Sequence, residues 1–240
     1  MPDKTPVVFL VDIDNTLLDN DRIQADLKQH IEREFGVASR DRYWAILERL
    51  FDTLGYRDYL GALQQYRVEN PHEVKLLALS FYLVDYPFAK VLYPGALEVL
   101  KRLRTIGPTV VLSDGDVVFQ PRKAQQSGIW DTVDGQVLIY IHKELELADV
   151  EHRYPADHYV LIDDKPRILT AIKKIWGQRV TTVLPKQGIY AHDSEALATN
   201  PRADITIEGI GDLLELIDRS IAWQCPGVNP PTGIRQFQRD

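Results

Sequence analysis

Val7-Val8-Phe9-Leu10-Val11-Asp12-Ile13-Asp14-Asn15-Thr16 places an unbroken apolar run directly before two carboxylates one residue apart. A continuous apolar run, rather than an alternating one, suits a strand buried on both faces of a parallel sheet. In open α/β sheets the C-terminal strand ends are where ligands bind. Side chains two positions apart can converge where a strand breaks into a loop. Two carboxylates held there are unfavourable unless they share a cation or one binds a proton. A hard, oxygen-seeking ion such as Mg2+ meets that need. Taken alone, Asp-x-Asp-x-Thr also fits a calcium-loop fragment or a plain strand-to-turn junction. The apolar run and the absence of glycine at the sixth loop position oppose the first of these.

The same grammar recurs along the chain. Thr109–Leu112, Gln136–Ile141, His158–Ile162, Val180–Leu184 and the weaker Ile205–Ile207 read as further strands. Between them fall helical stretches at Pro94–Ile106, Pro166–Trp176 and Gly211–Ile221. Pro166 suits a first helical turn, and Gly107 and Gly177 follow as stops. Alternating strands and helices predict a doubly wound parallel sheet with right-handed crossovers. Residues 20–88 differ: they carry no convincing strand and divide into helices Asp21–Phe35, one capped at Ser39 and stopped at Gly55, Asp58–Val68 and Pro71–Val84. The expected organisation is an α/β core of residues 1–19 and 89–223, an inserted all-helical domain of residues 20–88, and a proline-containing tail of residues 224–240.

At 240 residues, with 45% hydrophobic and 26% charged, the chain can build a substantial core without disulfides. Its single cysteine, Cys225, cannot form an internal bridge, so a reducing cytoplasmic setting is expected. The apolar run at Val7–Val11 is too short for a secretory leader or a membrane span. A formal charge of −7 argues against a general nucleic-acid or membrane-surface partner and leaves room for a local basic pocket.

The other strand ends carry matching chemistry. Thr109–Leu112 runs into Ser113-Asp114-Gly115, where a hydroxyl and free backbone N–H groups can meet a phosphate. Lys143 follows the next strand and offers a cation to phosphoryl oxygens. His158–Ile162 ends in the acidic pair Asp163-Asp164. Each has a plainer reading: Ser113 as a turn cap, Lys143 as a solvated lysine, and Asp163 or Asp164 as the cap of the helix at Pro166. Those readings must all hold together, in order and at successive strand ends, which disfavours them.

Asp12-Ile13-Asp14-Asn15-Thr16, Ser113, Lys143 and Asp163-Asp164, with Tyr93-Pro94-Gly95-Ala96 leading to the second motif, resemble the haloacid dehalogenase-like (HAD) superfamily over the chain up to about Ile221. The resemblance implies a Rossmann-like core with a helical cap and Mg2+-dependent hydrolysis of a small phosphorylated metabolite. Asp12 would be the nucleophile, forming an aspartyl phosphate, and Asp14 the general acid and base. Mg2+ would sit among Asp12, the Asp14 carbonyl and one or both of Asp163 and Asp164, with phosphate held by Ser113, Asp114, Gly115 and Lys143. Dehalogenases of the superfamily generally lack an acid at the position of Asp14, so phosphoryl transfer is expected.

Three features depart from the pattern. Glu144 follows Lys143 where proline is frequent, so Arg122 or Lys123 is a candidate to share its role. The fourth motif lacks a trailing acid, and it places Lys165 beside the metal carboxylates, where it would weaken the metal, touch the substrate or face solvent. No subfamily matches closely enough to name a substrate. The alternatives are a phosphomutase or a weakly active regulatory protein on the same scaffold; phosphonate cleavage would need a cap lysine, and only Lys28 and Lys75 are available. Tyr56, Arg57 and Tyr59 are candidates to contact the leaving group, or are ordinary packing residues.

Overall fold

The structure is a computed structural model that describes residues 4–219. The tail from Gln224, with Cys225, and the last residues assigned to the core lie outside the described residues. Six strands form one parallel sheet in the order β3-β2-β1-β4-β5-β6. They are β1 (Thr5–Val11), β2 (Thr109–Asp114), β3 (Val137–Tyr140), β4 (Ala156–Ile162), β5 (Val180–Pro185) and β6 (Ile205–Ile207). The helices are α1 (Asn20–Phe35), α2 (Val37–Leu54), α3 (Tyr59–Glu69), α4 (Leu76–Val84), α5 (Ala96–Arg104), α6 (Phe119–Gln126), α7 (Ile129–Thr132), α8 (Leu147–Arg153), α9 (Pro166–Trp176), α10 (Ser194–Thr199) and α11 (Leu213–Arg219). This is a Rossmann-like α/β fold.

The apolar runs form strands because both faces of the sheet are covered. In β1, Val7, Phe9 and Val11 join one buried cluster with the helices of residues 20–84, while Val8 and Leu10 join a second cluster with α9. Successive side chains point to opposite faces, so a run with no polar member is the only pattern that fills both. Each such valine or leucine contributes roughly 1.5–3 kcal/mol by leaving water. The wind of the chain reverses between β1 and β4, which pair from Thr5↔Ala156 to Val11↔Ile162. Such a topological switch point opens a crevice at the C-terminal strand ends.

Helices α1 to α4 contain no strand, and their buried residues, among them Leu27, Ile46, Leu63 and Leu79, belong to the same cluster as Phe9 and Val11. Gly55 ends α2 in the left-handed region at φ +79°, as the sequence suggests. Ser39 is not a cap: α2 begins at Val37, directly after Gly36, with no side-chain cap. Residues 71–75 form turns before α4, because Glu73 takes the Lys75 N–H and Asn70 takes that of Glu73. Among the described residues no helix is long and apolar enough to cross a membrane.

Candidate active site

β1 and β4 are neighbours, so their C-terminal ends deliver Asp12, Asp163 and Asp164 to one point, where one carboxylate oxygen of each lies within 4.8 Å of the others. All three are buried, Asp163 and Asp164 completely. Lys143, also completely buried, enters from the turn after β3. Its Nζ lies 2.6 Å from Asp12 Oδ1 and 2.7 Å from Asp163 Oδ2, and donates to the Leu112 carbonyl at 3.1 Å. One ammonium cannot neutralise three buried carboxylates. Burial therefore pushes Asp12 up to about 7 against the opposing pull of Lys143, and pushes Asp164 well above the usual carboxylate range. Among the described residues, Asp12 Oδ2 and both oxygens of Asp164 have no hydrogen-bond partner. Buried carboxylate oxygens of this kind, converging and unpaired, are the donor set of a hard divalent cation, and they fit Mg2+.

The second acid on the β1 loop is held apart from this cluster. Asp14 Oδ1 lies 2.5 Å from Lys123 Nζ, and Asp14 Oδ2 accepts from Gln120 Nε2 at 2.9 Å. Both partners project from α6, and Lys123 also donates to Asn20 Oδ1 at 3.2 Å. Burial alone would raise the Asp14 carboxyl, but Lys123 and Gln120 outweigh it and hold it below the usual range. Of the two cations considered beside Lys143, Lys123 thus reaches the site but serves Asp14, not Asp12. Arg122 does not reach it: its guanidinium meets the Val84 carbonyl and Asp85.

The loop after β1 is fixed by local chemistry. Asn15 adopts φ +59°, a conformation asparagine tolerates better than most residues. Its Oδ1 accepts from the Asn20 and Asp21 N–H groups, tying the start of α1 to the loop after β1. Gly188, at φ +67°, passes so close that a Cβ there would sit 2.4 Å from the Asn15 side chain. Thr16 Oγ1 accepts the Asp164 N–H at 3.1 Å, joining this loop to the end of β4.

Ser113 is buried at the end of β2, its Oγ 3.5 Å from the Asp114 carbonyl. The Asp114 carboxylate accepts the Lys143 N–H at 2.7 Å, which orients the lysine turn. Gly115 corrects the expectation of a free backbone donor for phosphate. Its N–H bonds the Tyr140 carbonyl at 2.9 Å, because the β2–β3 ladder continues one residue past the strand. Asp163 Oδ1 accepts the Lys165 N–H in the turn before α9, but the helix itself starts after Lys165 with no side-chain cap, so neither aspartate takes the plainer capping role.

A cavity of about 280 Å³ lies over these strand ends, lined by Asp14, Asp114, Gly115, Gln120 and Lys165 from the sheet side and by Phe51, Tyr56, Arg57 and Tyr59 from the helical segment. Tyr56, Arg57 and Tyr59 therefore do face the site, as does Tyr190 from the segment after β5. Arg57 is already paired with Glu48. Lys28 lies over the Trp44 ring and Lys75 bonds the Glu34 carbonyl, and neither lines the cavity. Gln120, Asn20 and Tyr190 carry no local signal in the sequence, since tertiary packing alone brings them here.

Parallel strands ending in converging acids and a buried lysine beneath a cavity define a Rossmann-like α/β protein with a candidate active site at its C-terminal strand ends. Residues 7–184 match the haloacid dehalogenase-like hydrolase family, and the chain belongs to it. A protein from Burkholderia xenovorans LB400 described as haloacid dehalogenase-like hydrolase is 60% identical over 88% of this chain and 98% of its own, with a TM-score of 0.84. The HAD-hydrolase YfnB of Bacillus subtilis, bound to magnesium, shares the fold at 14% identity and a TM-score of 0.58, over 90% of this chain and 100% of its own. The L-2-haloacid dehalogenase of Xanthobacter autotrophicus does so at 16% identity and a TM-score of 0.59, over 88% and 98%. No match was found among the curated proteins.

Proposed function

We propose that this hydrolase is a Mg2+-dependent phosphatase of small phosphomonoesters that works through an aspartyl phosphate on Asp12. The observation that carries the reading is the second acid: Asp14, two residues from Asp12, is held at the cavity by Lys123 and Gln120. Displaced halide is a stable anion that needs no proton, whereas an alkoxide leaving group does, so an acid at this place has work only in phosphoryl transfer. Mg2+ bound by Asp12, Asp163 and Asp164 would supply neutralising charge to the phosphoryl oxygens. In the first step an Asp12 oxygen forms a bond to phosphorus as the ester P–O bond breaks, and the leaving oxygen takes a proton from Asp14. In the second, Asp14 takes a proton from water as its oxygen attacks phosphorus, releasing phosphate and restoring Asp12. Asp14 is ionised in the resting site, the form the second step uses. Bringing the phosphoryl dianion beside it favours the protonated form that the first step uses. Lys143 and Ser113 would hold the phosphoryl group, while α1 to α4 act as a cap that shapes the cavity and excludes water. The proposed setting is the cytoplasm.

Phosphate release from an aryl phosphate, with Mg2+ and with EDTA, tests this reading. Turnover that needs the ion is expected, with no halide released from a 2-haloacid. Halide release without phosphate release would reverse the assignment.

Lys123 enters as a positioning residue for Asp14. Lys123→Met is expected to lower kcat by about 100-fold with KM changed by less than about threefold, and to hurt alkyl phosphates more than aryl phosphates, whose leaving groups need less protonation. Lys123→Arg should recover part of the loss. An equal effect on both leaving-group classes would mean that Lys123 only supports packing.

A further inference from the structure

Lys165 is the cation at this site that the proposed chemistry does not use. The other lysines buried here are matched to acids: Lys143 to Asp12 and Asp163, Lys123 to Asp14. Two further cations line the cavity and are likewise taken, Arg57 by Glu48 and Arg167 by Glu144. Lys165 lines the cavity too, half-buried, yet among the described residues no carboxylate lies within ion-pair distance of its ammonium. Its Nζ stands instead 5.6 Å from the centre of the Tyr190 ring, a second wall of the same cavity. Burial opposes its charge, but Asp12 and Asp164, from beyond contact distance, hold this ammonium well above the ordinary lysine range. An anion entering the cavity therefore meets a firmly charged cation that no described carboxylate touches.

The side of the cavity matters. Lys143 already stands in contact with Asp12, where the transferred phosphoryl group would sit, whereas Lys165, beyond ion-pair distance of Asp12 and facing Tyr190 across the cavity, is placed to meet a second anionic group on the same substrate. Gln120 lines the cavity as well. Its Nε2 is committed to Asp14 Oδ2 and the Asp114 carbonyl, both acceptors, which fixes the amide orientation and leaves its buried Oε1 without a partner among the described residues. The volume, about 280 Å³, lies near the lower end of ligand pockets, which run from about 300 to 1,000 Å³.

We infer that Lys165 is a specificity-determining residue: the substrate's alcohol part is small and carries a second anionic group, a carboxylate or another phosphate, that pairs with the Lys165 ammonium. The inference rests on the phosphatase reading for the position of the first phosphate.

Binding, not turnover, separates the two. Calorimetric titration in Mg2+ would use propylphosphonate, 3-phosphonopropionate and propane-1,3-bisphosphonate against wild type, Lys165→Met and Lys165→Arg. Wild type is expected to bind one or both of the doubly functional ligands about tenfold more tightly than propylphosphonate, and their ranking identifies the second anion. Lys165→Met should erase that preference and Lys165→Arg should keep most of it. The affinity for propylphosphonate reports that the variant site is folded. Equal loss for all three ligands would place Lys165 on the transferred phosphoryl group, and the absence of any preference or binding in wild type would overturn the inference. A protein that shows the Lys165-dependent preference yet releases no phosphate from any monoester would defeat the phosphatase reading alone.

Discussion

Replacing Asp12 by Asn is expected to abolish phosphate release, by about 10^4-fold or more, while leaving a folded and more stable protein. The loss follows from chemistry: an amide is neither a nucleophile toward phosphorus nor a hard ligand for the divalent cation. The gain follows from the charge balance. Asp12 is buried among Asp163, Asp164 and one ammonium in contact, Lys143, with Lys165 acting from farther off, and burial raises its carboxyl from the ordinary 3.8 to about 7. An acid raised in the folded state stabilises the fold fully below the lower value and loses that contribution as pH rises through the upper one. In EDTA the wild type should therefore weaken between about pH 4 and pH 7. Asp12→Asn, which carries no charge to bury, should escape that part of the decline. Thermal unfolding of both proteins at pH 5 and pH 8, with EDTA and with Mg2+, checks this. The variant should melt higher than wild type at pH 8 in EDTA, and Mg2+ should narrow or reverse the gap. A variant that retained Mg2+-dependent turnover would remove Asp12 as the nucleophile.

What the sequence discloses of this site follows a physical rule. Asp12, Asp14, Ser113, Asp163 and Asp164 are legible because each interrupts or closes an apolar run, and strand ends are where such a break has a job. Lys143 is legible by its place after the next strand. Helix α6 is nearly hidden for the opposite reason. The face it buries carries Gln120 and Lys123 at positions that an amphipathic pattern reserves for apolar residues, so periodicity reports no helix where the site needs one. Lys123 could be named as a spare cation from sequence, but its partner could not, since Asp14 lies on a different strand loop and only the fold joins them. Gly115 shows the limit of motif reading in the other direction: a glycine after a strand suggests free N–H groups, whereas the ladder to Tyr140 takes this one. The helical segment was legible as helices because its apolar faces have the right period. Its residues at the cavity were named only in part: Tyr56, Arg57 and Tyr59 flank a visible stop at Gly55, while Phe51 sits inside a helix and is indistinguishable there from core.

Removing Lys143 is expected to be nearly as damaging to activity and far more damaging to stability. The lysine touches Asp12 and Asp163 at once, and its turn is anchored through its own N–H to Asp114. Burial should depress a lysine, yet these carboxylates hold Lys143 well above its ordinary range, so the ammonium is firmly charged. Lys143→Met keeps the volume and deletes the charge, leaving three buried carboxylates with no cation in contact. Breaking a buried ion pair on one side costs about 3–5 kcal/mol, and the loss of one charge at the phosphoryl group lowers kcat by about 10^2- to 10^3-fold. The divalent cation then becomes the only counter-charge in direct contact with the cluster, since Lys165 acts on it only from beyond ion-pair distance. Mg2+ should therefore raise the melting temperature of Lys143→Met by more than that of wild type, even though it restores little turnover. Mutating the lysine and Asp12 together, as Lys143→Met with Asp12→Asn, should recover part of the lost stability in EDTA, because the double change removes one charge of each sign. If the single variant melted with wild type in EDTA and responded to Mg2+ no more strongly, the ion pairs of Lys143 with Asp12 and Asp163 would not support the fold. The counter-ion role assigned to Lys143 would then be wrong.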